Sequence, residues 1–378
     1  MDTSGLYIHI PFCRRKCAYC DFYSRAFGDH GDEYVTALLA EMDESRRFLT
    51  SKPEGRPRLT TVYFGGGTPS LLSAAQLARI FEHITQNFTL LPEAEITLEA
   101  NPDDLKEDYL EALGSLPVNR LSIGIQSFID SELAFIGRRH TAQQAIDAVR
   151  RCKEHGYDNI SIDLMMALPG QTLESFDQSL SQALDLGVQH ISAYLLSLEP
   201  GVPLHRSLRQ GRWQEAGEEP STAMYRRLHE RLTAAGYEHY EISNFALPGF
   251  RSRHNSGYWE GRSYLGLGPS AHSFDGHGRR WNVPDLAAYL RHDFQREYDN
   301  PNPEERYNEL VMTRLRCLEG ICLEQLHQSF GQDLYGTCLA SAQKWIKAGN
   351  MHLEGGRLVI DPDSWLVSDE IIRDLMQV

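Results

Sequence analysis

Three cysteines lie close together near the start of the chain, within PFCRRKCAYCDF. Cys13, Cys17 and Cys20 follow the spacing C-x3-C-x2-C, directly after a short apolar run. The chain has 7 cysteines, an odd number, and three of them are crowded here, so a framework of paired disulfides explains them poorly. Three thiolates suit a soft metal or an iron–sulfur cluster, whereas structural zinc usually takes four protein ligands. We predict a [4Fe–4S] cluster with one iron open to a small chelating molecule, and zinc is the alternative.

A glycine-rich segment follows the second apolar run, in TVYFGGGTPSLL. Gly65, Gly66 and Gly67 precede Thr68 and Pro69. Glycines allow the backbone to approach a ligand closely and to expose its N–H and C=O groups. The segment lacks the lysine of a phosphate-binding loop. It therefore indicates either a ligand-binding loop or merely a tight turn between a strand and a helix.

Polar residues occur near the ends of four later apolar runs. They are Glu99, Gln126, Asp163 and Ser197, and Arg138 follows in the loop GRRH. In a barrel of alternating strands and helices, this end of the strands is where ligands bind. The alternative is that each residue caps the next helix. Four such residues in succession favour a shared site.

Short β-rich runs alternate with helical stretches over the first two hundred residues. The runs cover 6–10, 61–64, 95–100, 120–126, 160–166 and 190–196. Helical stretches are predicted at 33–49, 73–88, 104–113 (opened by Asp104), 142–155 and 172–187 (opened by Thr172 with Ser175). This alternation predicts parallel strands joined by right-handed crossovers. The predicted fold class is α/β, an incomplete (β/α)6 barrel of the TIM kind, with an open doubly wound sheet as the alternative.

The pattern changes after about residue 200. Residues 200–219 are polar, a helix is predicted at 220–235, and residues 237–283 are rich in glycine and aromatic residues. DNPNPEE at 299–305 indicates a linker, and MHLEGGRLVI beyond it predicts a hairpin with a Gly-Gly turn, followed by a closing helix from Ser368. We therefore predict three parts: a barrel at 1–200, an extension at 201–298, and a mainly helical, winged-helix-like domain at 299–378.

The composition excludes several classes of protein. The chain has 37 Lys and Arg against 52 Asp and Glu, a net charge of −15, which argues against a general nucleic-acid binder. No apolar run approaches the ~18 residues that a membrane helix requires. The first residues, MDTSGLYIHIPFC, lack the features of a secretory signal. We therefore expect a cytoplasmic protein with no transmembrane segment and reduced thiols.

The cysteine spacing, with Tyr19 just before the last cysteine, resembles the signature of the radical S-adenosylmethionine (SAM) superfamily. More of the chain resembles the HemN/HemW family within it. The matching segments are YIHIPFC at 7–13, GGGTP at 65–69, EANP at 99–102, GIQSF at 124–128, IDLMMALPGQT at 162–172 and the C-terminal part. The resemblance implies a [4Fe–4S] cluster and SAM as cofactors. It implies SAM-binding roles for Tyr7, Tyr19 (packed on adenine), Gly67, Thr68, Glu99, Gln126, Arg138 and Asp163.

The family contains oxygen-independent coproporphyrinogen III dehydrogenases and relatives regarded as haem chaperones. Two departures favour the chaperone branch: the dehydrogenase has a further cysteine where this chain has Phe22, and an N-terminal extension where only six residues precede Tyr7. The segment RHNSGYWEG at 253–261 resembles the H-N-x-x-Y-W motif linked to haem binding. The resemblance thus places haem near His254, Asn255, Tyr258 and Trp259, whereas residue chemistry alone favours a buried histidine in an aromatic core.

Three functions are therefore expected in order. The first is a haem chaperone that binds haem and a SAM-ligated cluster and delivers haem to an acceptor haemoprotein. The second is oxidative decarboxylation of coproporphyrinogen III by a radical mechanism. The third is a zinc-stabilised interaction module. The choice between the first two rests on family analogy.

Overall fold

A computed structural model describes residues 3–28, 30–49 and 55–377 of the 378-residue chain. Its strands are β1 (Thr3–Ile10), β2 (Phe12–Cys13), β3 (Arg25–Ala26), β4 (Arg58–Gly66), β5 (Thr89–Ala100), β6 (Arg120–Gln126), β7 (Ile160–Met166), β8 (His190–Leu195), β9 (Glu238–Glu241), β10 (Asn244–Ala246), β11 (Tyr264–Leu267), β12 (His272–Phe274), β13 (Arg279–Asn282), β14 (Arg296–Asp299), β15 (Ile321–Cys322), β16 (Met351–Glu354) and β17 (Arg357–Ile360). Its helices are α1 (Gly31–Ser45), α2 (Ala74–Asn87), α3 (Glu107–Leu113), α4 (Asp130–Phe135), α5 (Ala142–Glu154), α6 (Leu173–Asp185), α7 (Pro203–Arg209), α8 (Glu218–Ala234), α9 (Arg253–Trp259), α10 (Leu286–Leu290), α11 (Pro303–Arg314), α12 (Leu323–Lys347) and α13 (Ser368–Leu375).

The main sheet has twelve strands in the order β14-β13-β12-β11-β1-β4-β5-β6-β7-β8-β10-β9. The strands from β11 to β8 in this order are parallel, and the strands outside them pair antiparallel. In the described residues the edge strands β14 and β9 do not pair with each other, so the barrel is incomplete. This confirms the predicted fold class. All six predicted runs are strands, whereas β11, the parallel partner of β1 on its other side, was not predicted.

The two faces of the parallel strands differ in polarity. Leu6 and Ile8 of β1 and Val62 of β4 lie in the core between sheet and helices, with every second residue of the neighbouring strands. The residues between them face the barrel interior, where Tyr63 contacts Glu99. The helices therefore cover an apolar face, and the opposite face is left with polar and aromatic groups available for a site.

The predicted helices occur, but one predicted start is wrong. Thr172 accepts a hydrogen bond from the backbone N–H of Ser175, and Ser175 Oγ accepts one from Thr172 N–H, which confirms the predicted cap of α6. Asp104 does not open α3, which begins at Glu107. It ends a 3-10 turn that begins at Pro102, and its carboxylate accepts a hydrogen bond from Ser70 Oγ at 3.0 Å.

The C-terminal part has a core of its own, built from α11, α12, α13 and the sheet β15-β17-β16. The predicted hairpin is β16–β17, and Gly355 and Gly356 at its turn both have positive φ (54° and 76°), which favours glycine. The boundaries at 200 and 298 stay predictions, because strands on both sides of residue 200 belong to one sheet. No helix in the described residues is long and apolar enough to cross a membrane.

Candidate functional site

The cysteine-rich loop is held by backbone hydrogen bonds to the barrel and to the segment after it. Its three thiols are free and partly exposed, at Cys13, Cys17 and Cys20. In the middle of the loop, the N–H of Ala18 donates to the carbonyl of Ile136 at 3.0 Å, and the carbonyl of Ala18 accepts from Leu204 N–H at 2.8 Å. The loop thus has a fixed path although it contains little regular structure.

Two side chains from distant strand ends donate to the sulfur atoms. Thr68 Oγ1 lies 3.6 Å from Cys13 Sγ, and Arg138 Nη1 lies 3.4 Å from Cys17 Sγ. Asn101 connects the two donors: its Oδ1 accepts from Arg138 at 2.6 Å, and its Nδ2 donates to Thr68 Oγ1 at 3.2 Å. Donors of this kind stabilise thiolate ligands, so the donor set fits an iron–sulfur cluster.

Cys20 is the most buried in character of the three thiols. Burial raises its pKa to about 11, and the nearby thiols of Cys17 and Cys13 raise it further. Within residues 3–28, 30–49 and 55–377, no three His, Cys, Asp or Glu side chains are grouped so that they could hold a metal ion. The three-cysteine ligand set therefore stays a prediction.

The glycine loop follows β4 and lies against the strand that leads into the cysteine loop. Gly66 has φ +106°, and a Cβ there would lie 2.5 Å from the ring of His9. A Cβ on Gly67 would lie 2.5 Å from the carbonyl oxygen of Phe12. The N–H of Gly66 donates to Glu99 Oε2 at 3.1 Å. The glycines are thus required by close approach of backbone and ring, as a ligand-binding loop needs.

Two carboxylates lie in the barrel interior at the ends of β5 and β7. Burial raises the pKa of Glu99 to about 7, although its hydrogen bond from Tyr63 Oη at 2.8 Å lowers it. Burial also raises the pKa of Asp163 to about 6, while its hydrogen bond with Ser192 and the charge of Arg120 lower it. These groups can accept hydrogen bonds from a polar ligand, and the structure brings them to the interior face that adjoins the glycine loop.

The remaining predicted SAM-binding residues occupy different positions around this interior. Gln126 has φ 74°, a strained value for a residue with a side chain, at an irregularity in the pairing of β6 with β7. Tyr19 packs with Met165 and Leu168. Tyr7 lies one strand away, stacked on Tyr63 with ring centroids 6.1 Å apart.

The HNxxYW segment forms the short helix α9, and its histidine is buried. His254 is 3% exposed; its Nδ1 hydrogen-bonds with Thr61 Oγ1 and its Nε2 with Tyr258 Oη, both at 2.8 Å. Its ring also stacks on Tyr63 at 5.0 Å. Burial, and then the charge of Arg120, lower the pKa of His254 to about 3, so the ring is neutral. Both ring nitrogens are therefore occupied within the protein.

A cavity of about 780 Å³ lies between the barrel, the strands β11–β13 and the C-terminal part. The HNxxYW segment contributes Tyr258 and Trp259 to its wall, whereas His254 and Asn255 do not line it. Phe22, which is 64% exposed, and Tyr7 form the wall next to the cysteine loop. A volume in this range suits a cofactor-sized ligand, and the aromatic residues offer flat apolar faces.

Comparisons with known proteins agree with this geometry. The radical SAM superfamily model matches residues 7–183, and the HemN C-terminal domain model matches residues 302–367. The chain is 35% identical to the heme chaperone HemW of Bacillus subtilis, over 97% of each chain. It is 36% identical to that of Lactococcus lactis, over 88% of this chain and 87% of the relative. The chain belongs to the HemW family of radical SAM proteins.

The fold of this HemW-family chain is that of a solved radical SAM structure. Coproporphyrinogen III oxidase (HemN) from Escherichia coli has a TM-score of 0.84 at 22% identity, covering all of this chain and 90% of that one. At this identity the likeness concerns the fold alone.

Several residues of the HemW-family site were not predicted. Asn101 connects Arg138 with Thr68, His9 lies under Gly66, and Arg120 is buried (1% exposed) within the barrel. Asn101 stands inside the EANP segment and His9 inside YIHIPFC, so both motifs contained the signal. Arg120 begins a strand in an otherwise apolar run, and only its burial reveals it.

Proposed function

We propose that this chain is a haem chaperone: it binds haem in the cavity, holds a SAM-ligated [4Fe–4S] cluster in the adjoining barrel mouth, and passes haem to an acceptor haemoprotein. The observation that carries the proposal is the cavity itself, whose wall contains Tyr258 and Trp259 of the HNxxYW segment. The curated relatives named heme chaperone support it over nearly the whole length of the chain.

The residues assigned to the cofactors remain part of this proposal. Cys13, Cys17 and Cys20 would hold the cluster, and Thr68 and Arg138 would donate to its thiolates. The other SAM-binding positions would be Tyr7, Tyr19, Gly67, Glu99, Gln126 and Asp163. When bound, a SAM-ligated cluster supplies one-electron chemistry.

The cavity residues suit binding and release of a planar ligand. Tyr258 is supported from behind by His254, and Phe22 is largely exposed in the wall. A ligand in this cavity would therefore lie against aromatic faces while one side remained accessible to a protein acceptor. The cavity also adjoins the cysteine loop through Phe22 and Tyr7, so that changes in that loop would reach the haem.

The test is anaerobic incubation of cluster-reconstituted protein with SAM, a reductant and coproporphyrinogen III, next to a titration with ferric haem. We expect stoichiometric haem binding and no decarboxylated porphyrin, in a sample whose iron and sulfide content shows an intact cluster. Porphyrin product above background would instead make the chain a short dehydrogenase. Absence of haem binding would refute the chaperone proposal.

A further inference from the structure

Three histidines line the cavity, and they differ in what their ring nitrogens contact. His9 uses both: Nδ1 hydrogen-bonds with Tyr7 Oη at 3.1 Å and Nε2 with the carbonyl of Tyr23 at 2.9 Å. His277 lies in the exposed turn between β12 and β13. His272 also makes no ring hydrogen bond to any described residue, but it lies on a strand.

The ring of His272 is oriented by its neighbours. His272 pairs in register with Trp281 of β13, and the two rings stack with centroids 5.5 Å apart and planes 20° apart. The indole of Trp281 is itself fixed, because its Nε1 donates to Glu297 Oε2 at 2.9 Å. An imidazole with a fixed plane and unoccupied nitrogens in an aromatic cavity is suited to bind iron axially.

Two guanidinium groups in the same cavity have no carboxylate partner among the described residues. Arg306 and Arg314 lie on α11, and Arg314 Nη1 makes one long contact with the carbonyl of Trp259 at 3.4 Å. By contrast, Arg279 in the same wall pairs with Glu309. Arginine is the residue that best matches a carboxylate, so this wall suits an anionic ligand with two carboxylates.

We propose that His272 is the axial ligand of the haem iron in this cavity, and that Arg306 and Arg314 bind the haem propionates. The inference rests on the proposed haem-binding function and specifies its site. His254, whose nitrogens are both occupied, acts as a positioning residue that supports Tyr258. The aromatic faces of Tyr258 and Trp259 complete the pocket.

The test is titration of the full chain with ferric haem, followed by absorption spectroscopy, for the unmodified protein and for His272→Ala, His254→Ala and His277→Ala. We expect His272→Ala to weaken haem binding at least tenfold and to shift the Soret band, and added imidazole to restore the band. His277→Ala is the matched control, because it removes an imidazole from the same cavity, and it should retain the original spectrum. His254→Ala should weaken binding while keeping the spectral signature of histidine ligation.

A second variant keeps the test decisive if His272→Ala does not fold. His272→Tyr should give the distinct spectrum of phenolate-ligated ferric haem, with cluster iron and sulfide unchanged. Arg306→Ala with Arg314→Ala should weaken haem more than haem dimethyl ester, which has no free propionates. An unchanged spectrum in both His272 variants, or loss of the histidine signature in His254→Ala alone, would overturn the assignment. Failure of the unmodified chain to bind haem would instead refute the proposed function.

Discussion

Arg138 joins three groups that are far apart in the sequence: the thiol of Cys17, the side chain of Asn101 and the carbonyl of Gly124. Its residue type and its place in a loop after a strand could be read from the sequence. Its partners could not, because the guanidinium reaches across the mouth of the barrel, and those distances depend on the folded sheet. The same holds for His254, where the motif predicts the residue but not that Thr61 and Tyr258 occupy its nitrogens.

Replacement of Arg138 by lysine should weaken SAM binding about ten- to a hundredfold. Lysine keeps the charge but lacks the planar fork, so it cannot reach all three partners, and one lost charge-assisted hydrogen bond is worth about 1.5–3 kcal/mol. The measurement is a SAM titration of the reduced, cluster-loaded protein, followed by electron paramagnetic resonance. Arg139→Lys is the matched control, since Arg139 pairs with Asp103 outside this network. Equal losses in both variants would contradict the role given to Arg138.

At the scale of elements, the short helix α9 depends on a carboxylate from the barrel. Glu95 of β5 accepts hydrogen bonds from the N–H groups of Arg253 and His254, both at 3.0 Å. These contacts hold the helix that presents Tyr258 to the cavity. The six barrel strands were predictable from local composition, whereas β11 was not, because YLGL becomes a strand through its long-range pairing with β1.

Replacement of Glu95 by glutamine should loosen α9 and weaken haem binding about three- to tenfold, with the cluster content unchanged. The amide group has one acceptor oxygen and turns a donor toward the second backbone N–H, which is left unsatisfied. Haem affinity, and hydrogen exchange of the amides at 253–259, would measure the effect. Glu93→Gln, two residues earlier on the same strand and exposed, is the control. Unchanged exchange in Glu95→Gln would show that the carboxylate does not hold the helix.

At the scale of the whole molecule, the cavity is built from parts of the chain that no local pattern brings together. Its wall combines Tyr7 of the first strand, His272 of the extension and Arg306 of the C-terminal part. The C-terminal part lies against the barrel edge through backbone hydrogen bonds, such as Leu318 N–H to the carbonyl of Tyr240 at 3.0 Å. The sequence predicts each part, but the cavity depends on how they pack.

The same packing buries histidines that must stay neutral in the folded chain. Burial is the main cause of the lowered pKa at each of them: about 4 for His9 and His140, about 3 for His239 and His254, and well below the usual value for His190. Below pH 6.5 the unfolded chain binds more protons at these sites than the folded chain, so stability is lost as the pH falls. Glu99 and Asp163, with pKa values raised to about 7 and 6, act in the opposite direction.

Since five imidazoles oppose these two carboxylates, the midpoint of urea unfolding should fall between pH 7.5 and pH 5.5 in protein without SAM. Each net proton contributes about 1.4 kcal/mol per pH unit. His239 packs between Phe245 and Trp365, at centroid distances of 3.8 and 4.3 Å, where barrel and C-terminal part meet. His239→Asn should therefore flatten the pH dependence by about one proton, whereas His327→Asn, at an exposed position, should leave it unchanged. A midpoint that rose toward pH 5.5, or equal flattening in both variants, would show that the buried histidines do not control the acid sensitivity of this fold.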